Sequence, residues 1–256
     1  MPSSCNLVPS GVAGVRSAER SSPGGRGRLE NGAEGAEEEG GGTLAGRNGG
    51  SDRAFLLKVC GLTRLEDVRL AVRHGANALG FNFHSGSPRC VTVEDARRMA
   101  ADLPPDVLRV GVVVVPARSL VRTEKLKALL KRGEPFLDAF QVHGASGETD
   151  LSLFAGKLIV AVSPETAHLF PAHEIIVDTS WGSGRLGNWD DVARLNRTFI
   201  LSGGLTADNV TTAIRRLRPA GVDVCSGVEV SPGRKDPAKL RSFLERAKEA
   251  GAELES

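Results

Sequence analysis

"LLKVCGLTRLEDV", Leu56 to Val68, carries an apolar run straight into Cys60-Gly61 and then switches to helical spacing. Leu65, Val68 and Val72 fall on one side of the second half, and Gly75 closes it as a helix stop. A short strand that ends on polar or glycine positions and feeds a helix at once is one βα unit. The chain beyond Ala54 repeats the unit. Short runs rich in β-branched residues recur at 56–61, 78–83, 109–115, 139–144, 157–163, 174–179, 199–204 and 221–227. Each is apolar on both faces, as strands of a parallel sheet covered by helices must be.

The intervening stretches have helical patterns. "VEDARRMAADLPP" ends before a proline pair, and "TADNVTTAIRRLRPAG" starts on Thr206 and places Val210, Ala213, Ile214 and Leu217 on one face. "DPAKLRSFLERAKEAG" starts on Asp236 with Pro237 at the first helical position. The fourth and fifth helices are the weakest, since "GETDLSLFAG" and "SPETAHLF" leave barely two turns each. Eight βα units in about 200 residues predict an α/β fold, a single (β/α)8 barrel over 54–251 with a tail at 252–256. An open doubly wound sheet would show a G-x-G-x-x-G turn after its first strand. Here the residues after Val59 read C-G-L-T-R-L-E.

Residues 1–53 are different material: within them "SSPGGRGRLENGAEGAEEEGGG" has no aromatic, almost no aliphatic, and a high density of Gly, Ser, Arg and Glu. Such a segment buries too little surface to offset its ordering entropy, so a disordered extension is expected. Residues 1–28 hold four Arg, six Ser and one acid, Glu19, a composition that also suits an organelle transit peptide. The expected location is cytoplasmic, or an organelle stroma if the extension is such a peptide. The whole chain has 256 residues, 40% apolar content, 33 Lys and Arg against 31 acids, and a net charge of +2. That balance speaks against a nucleic-acid binder, and no apolar run approaches the roughly 20 residues that span a bilayer. Cys5, Cys60, Cys90 and Cys225 form no CxxC pair, so no zinc cage or disulfide framework is indicated, and reduced thiols are expected.

Barrels of this kind place chemistry at the carboxyl ends of their strands. The candidates there are Cys60 after the first strand, His84 and Arg89 after the second, His143 after the fourth and Asp178 after the sixth. Ionisable groups closing apolar strands cost burial energy unless paired or wetted, which a polar cavity explains. Asp178 precedes a glycine-rich loop containing Gly182, Ser183 and Gly184. Gly203 and Gly204 follow the seventh strand, and Ser226 and Gly227 the eighth. Small residues at those two loops let backbone N–H groups approach an anion, where barrels commonly seat phosphate. Each feature has a bland counterpart: a buried cysteine as a small hydrophobe, Asp178 as a turn cap, Gly-Gly as a tight turn.

The segments "KVCGLTRLEDV", "GANALGFNF…SPR", "VGV", "QVHG", "D…WGSGR…NWD", "LSGGLTADNV" and "GVDVCSGVE…PGRKDPAKLRSF" occur in one order and spacing. In these the chain resembles the phosphoribosylanthranilate isomerases, single-barrel enzymes of tryptophan biosynthesis, from Leu56 to about Lys248. The resemblance implies an Amadori rearrangement of the small-molecule substrate N-(5'-phosphoribosyl)anthranilate, without metal or cofactor, by a monomer or homodimer. It implies Asp178 as general acid on the furanose ring oxygen and Cys60 as general base at C2. Arg89 would meet the anthranilate carboxylate. His143 would line the site or hold it by a hydrogen bond. Gly182, Ser183, Gly184, Gly203, Gly204, Ser226 and Gly227 would surround the phosphate, and Glu229 would brace a neighbouring loop. Asp178 must then keep its proton near neutrality against a reference pKa of about 4, and Cys60 must ionise against one of about 8.5.

The chain departs from the family pattern in places. Its second loop reads "FHSGSPRC" where "FYPKSPRY" is usual, and Cys225 stands where the family often has serine. Two other readings remain open. Another phosphosugar barrel enzyme would need an early strand-end lysine or a metal-binding His/Asp set, and Lys58 is the lysine near the mouth. The second is a non-catalytic barrel that binds a phosphate ligand.

Overall fold

The computed structural model describes residues 54–115, 124–154, 157–180 and 187–255. The extension at 1–53 and the sixth-loop residues Gly182, Ser183 and Gly184 lie outside them. Eight parallel strands close a barrel in sequence order. They are β1 (Leu56–Val59), β2 (Ala78–Asn82), β3 (Leu108–Val114), β4 (Ala139–His143), β5 (Lys157–Val162), β6 (Glu174–Asp178), β7 (Ile200–Ser202) and β8 (Gly221–Val224). β1 pairs with β8, which removes both sheet edges.

The helices are α1 (Leu65–Arg73), α2 (Val93–Ala100), α3 (Glu124–Gly133), α4 (Trp189–Ala193), α5 (Val210–Leu217) and α6 (Pro237–Glu255). The two weak positions are filled by less than a helix. Described residues between β4 and β5 form turns, and the β5–β6 connection is a 3₁₀ turn at Pro164–Leu169. A two-stranded hairpin, β9 (Glu229–Ser231) with β10 (Arg234–Lys235), inserts between β8 and α6.

Alternation along the strands separates two cores. Leu56, Ala78, Leu108, Val110, Ala139, Ile159, Ile176 and Ile200 point inward and form one buried cluster. Their neighbours Leu57, Val59, Leu79, Phe81, Val142, Val160, Ile175, Val177, Leu201 and Val222 point outward into a second cluster beneath the helices. Two residues further along, the inward row turns polar in five strands, at Lys58, Gln141, Asp178, Ser202 and Asp223, and holds Gly80, Val112 and Ala161 in the other three. The apolar plug thus floors a polar mouth at the carboxyl ends.

Two element ends differ from the pattern reading. α5 begins at Val210 rather than Thr206 because the Asn209 side chain accepts from Thr206 N–H at 2.9 Å and holds 206–209 as a turn. α6 runs past Gly251 to Glu255, so residues 252–255 are its last turn rather than a tail. The Phe55 ring packs on Gly251, where an added Cβ would come within 2.6 Å of it, and Phe55 N–H donates to Glu255 at 3.1 Å. The start of β1 therefore ties the helix end down.

Candidate active site

The sequence closes β1 with Lys58-Val59-Cys60 and β8 with Asp223-Val224-Cys225. The strands run in register, Lys58 beside Asp223 and Val59 beside Val224, and Cys60 N–H donates to Val224 O at 2.9 Å. Two matched pairs therefore stack along the seam: an ion pair below and two thiols above. Lys58 Nζ lies 2.9 Å from Asp223 Oδ1, with Lys58 fully buried. Burial works against the ammonium, but Asp223 and Cys60 outweigh it and hold the Lys58 pKa above its ordinary value. An amine fixed as a cation cannot serve as a Schiff-base or proton-abstracting lysine. The alternative reading that needed Lys58 loses its nucleophile.

Cys60 is 8% exposed. Its pKa is lowered, chiefly by a hydrogen bond from Cys225; burial opposes this, and the Lys58 and Lys235 ammonium groups assist it. The Cys225 thiol is pushed up by the same hydrogen bond and by burial.

Asp178 ends β6 and is 9% exposed. Its Oδ1 accepts from Ser180 N–H at 2.8 Å and from Ser180 Oγ–H at 2.9 Å. Gly203, at φ +91°, passes directly over it: a Cβ there would stand 2.5 Å from Asp178 Oδ1 and 2.6 Å from Ser180 N. Only glycine supplies both that φ and that clearance.

Asp178 lines a cavity at the barrel mouth together with Arg89, Gly203, Gly204, Cys225, Ser226 and Gly227. The Gly203–Gly204 and Ser226–Gly227 loops stand together on one wall. A Cβ on Gly227 would lie 1.9 Å from Leu205 O, so close packing of the two loops demands glycine there. Cys60 is not itself in that lining. It ends β1 beside Cys225, which ends β8, and a Cβ on Gly61 would touch Cys225 Sγ at 2.8 Å and Arg89 Cδ at 2.6 Å.

Arg89 reaches the cavity held from behind. Its Nε donates to Glu229 Oε1 at 2.9 Å and its Nη2 to Glu229 Oε2 at 2.7 Å. That two-pronged grip leaves Nη1 without a hydrogen bond among the described residues. Glu229 also accepts from Lys235 Nζ at 3.0 Å and Gly233 N–H at 3.2 Å. Lys235 is buried and donates in addition to the carbonyls of Cys60 at 2.7 Å and Cys225 at 3.0 Å. The β9–β10 hairpin thus fixes the ends of both thiol-bearing strands and the arginine in one network. Within the altered second loop, Ser87 Oγ accepts from Arg89 N–H at 3.1 Å and lies 3.3 Å from Asn82 Nδ2.

His143 is not part of that lining. Burial lowers its pKa, partly offset by the nearby Asp178 carboxylate, and Gln141 Nε2 lies 2.7 Å from His143 Nε2. The Gln141 amide and the His143 ring thus share one hydrogen bond, whose direction follows the ring tautomer.

The family model for N-(5'-phosphoribosyl)anthranilate isomerase matches residues 57–246 of this chain. The chain belongs to the phosphoribosylanthranilate isomerase family. It is 38% identical over 213 residues to the N-(5'-phosphoribosyl)anthranilate isomerase of Pelobacter propionicus, covering 77% of this chain and 97% of that protein. The crystal structure of the isomerase from Thermotoga maritima superposes with a TM-score of 0.65 at 35% identity, over 76% of this chain and 98% of that one. A family structure in complex with reduced 1-(o-carboxyphenylamino)-1-deoxyribulose 5-phosphate superposes at 0.63 with 36% identity, over the same shares.

Among the sequence-predicted residues, Asp178, Arg89, Gly203, Gly204, Ser226 and Gly227 come together in the cavity. Cys60 ends β1 next to Cys225, which lines the cavity. Asp223, Ser180, Lys235 and Cys225 were not singled out as site residues. For Asp223 a signal existed: an acid inside an apolar strand, two residues before a cysteine, mirrors Lys58 two residues before Cys60.

Proposed function

We propose that this protein converts N-(5'-phosphoribosyl)anthranilate to 1-(2-carboxyphenylamino)-1-deoxyribulose 5-phosphate, with Asp178 as general acid and Cys60 as general base. The observation that carries this is the joining of a carboxyl group, an arginine and two glycine-lined loops in one cavity beside a thiol pair. Asp178 protonates the ring oxygen, and the furanose opens to a Schiff base at C1. Cys60 thiolate takes the C2 proton; the C–H electrons form the C1–C2 double bond, and the imine pair passes to nitrogen. Protonation at C1, with loss of the C2 hydroxyl proton, leaves the ketone at C2.

Arg89 Nη1 suits the anthranilate carboxylate, because Glu229 already fixes the plane of the guanidinium. The backbone of Gly203–Gly204 and Ser226–Gly227 suits the phosphate. His143 acts as a neutral hydrogen-bonding group within the barrel rather than as a titrating one. Gly182, Ser183 and Gly184 are proposed to complete the phosphate side. The reaction is proposed for a reducing, cytosol-like compartment, since Cys60, Cys90 and Cys225 are free thiols. Expression of the chain in a tryptophan auxotroph lacking this isomerase tests the reading: growth without tryptophan is expected, and failure of well-expressed protein to support it would overturn the assignment.

A further inference from the structure

We propose that Lys235 is a positioning residue for the catalytic end of the barrel: its buried ammonium group holds the carboxyl ends of β1 and β8 together and leaves one net positive charge beside their thiols. The proposal rests on the isomerase reading for its kinetic consequence, though the contacts themselves do not.

Geometry carries it. Lys235 lies on β10, outside the cavity lining, and is 2% exposed. An ammonium group has three donors, and here each has an acceptor: Cys60 O at 2.7 Å, Cys225 O at 3.0 Å and Glu229 Oε1 at 3.0 Å. The chain leaves β1 at the first of these carbonyls, and at the second it turns into Ser226–Gly227 on the cavity wall. A staple at that point sets the spacing between the base on β1 and the phosphate-side loop after β8. Through Glu229 the same group reaches the carboxylate that grips Arg89. The lysine is itself held by α1 and the loop before it: its N–H donates to the buried Asp67 carboxylate at 3.1 Å, and Thr63 Oγ1 donates to Gly233 O. Burying an ammonium group is costly, and an apolar side chain would dock the hairpin without that cost. The charge is the part that acts on the site.

Arg89 and Lys235, two cations, share the single Glu229 carboxylate, so the three groups carry one net positive charge. Lys235 Nζ stands 4.0 Å from Cys225 Sγ and favours the ionised form of either thiol. The charged groups facing the thiols are Lys58 from β1, Asp223 from β8, Arg89 from the second loop, and Glu229 and Lys235 from the hairpin. Lys58 and Asp223 form their own pair, which leaves Lys235 as the cation that tips the balance.

The test compares wild type with Lys235→Met and with the double variant Lys235→Met/Glu229→Gln. Methionine has a similar length, and Glu229 keeps its Arg89 partner in the single variant, so no buried charge is stranded. The double variant leaves Arg89 as the one charge of the three and returns the net charge to its wild-type value. Two readouts are taken from about pH 5.5 to about pH 9.5: the acid limb of kcat/KM, and the rates of iodoacetamide alkylation at Cys60 and Cys225, resolved by peptide mass spectrometry without substrate. Loss of a charge beside a titrating group moves its midpoint by about one unit or more. In Lys235→Met the acid limb and the midpoint of the faster-alkylated thiol are both expected to rise by that much, and kcat to fall at least about tenfold through lost positioning. In the double variant both midpoints are expected to return toward wild type while kcat stays low. A merely structural lysine would lower activity equally at all pH values with the alkylation midpoint unmoved, and that result overturns the proposal. Wild-type kcat in Lys235→Met, or a double variant whose midpoints stay with the single one, overturns it too. An inert wild type together with a raised alkylation midpoint in Lys235→Met would sink the isomerase reading while leaving the role of Lys235 at the thiols standing.

Discussion

Lys58 and Asp223 face each other across the β1–β8 seam with Nζ and Oδ1 2.9 Å apart, and both are buried. Everything at the mouth stands on that pair: Cys60 and Cys225 sit directly above it, and Ser202 Oγ donates to the second carboxylate oxygen at 3.3 Å. Removing one partner of a buried ion pair strands the other charge and costs about 3–5 kcal/mol. Urea unfolding of Asp223→Asn and of Lys58→Met should each show a loss of that order. The Lys58 pKa lies above its unfolded value, so its contribution is complete below about pH 10 and declines only at higher pH. Across pH 6–9 this part of the stability should not vary. A loss under about 1 kcal/mol in both variants would show that the pair is dispensable to the fold.

Gly203 is pinned by its backbone angle and by what lies beneath it. A methyl group there would meet Asp178 Oδ1 and the amides of Thr179 and Ser180. Gly203→Ala should therefore displace the acid as well as the phosphate loop. Turnover is expected to fall about tenfold or more, consistent with the cost of misplacing a catalytic group by about an ångström, and competitive inhibition by inorganic phosphate should weaken in parallel. Unchanged inhibition would separate this loop from the phosphate.

Glu229 couples stability to acid. Burial opposes its ionisation, but Arg89 and Lys235 outweigh burial and hold its pKa below the usual carboxylate value. A depressed folded-state pKa gives stability that is present above the unfolded value, about 4.3, and is lost as pH falls. Thermal melts taken from pH 6 to pH 3.5 should show a steeper loss for wild type than for Glu229→Gln. The same variant releases the Arg89 fork, so KM should rise more than kcat falls. Parallel pH dependences would mean that Glu229 is not the coupled group.

How far the residues alone disclosed this depends on the range over which each acts. Strand alternation and glycine stops are local, and they carried the barrel, its eight strands and the loop glycines. The weak fourth and fifth helices were legible as weak, and the structure fills them with turns and a 3₁₀ segment. α5 and α6 were misjudged at one end each: the Asn209 side chain holds a local turn in place of the first helical turn, and Phe55 ties the end of α6 through a tertiary contact that spacing does not encode. The thiol pair was hidden for the same reason. Cys60 and Cys225 lie at opposite ends of the chain and meet only because the barrel closes.

The most direct measurement follows the loss of substrate fluorescence as purified protein turns over N-(5'-phosphoribosyl)anthranilate, with Cys60→Ala and Asp178→Asn alongside. General acid–base groups contribute about 10²–10⁴-fold each. Conversion by the wild type, with kcat reduced by at least about a hundredfold in each folded variant and KM little changed, is the predicted result. An inert wild type, or either variant turning over within a few-fold of it, would contradict the account.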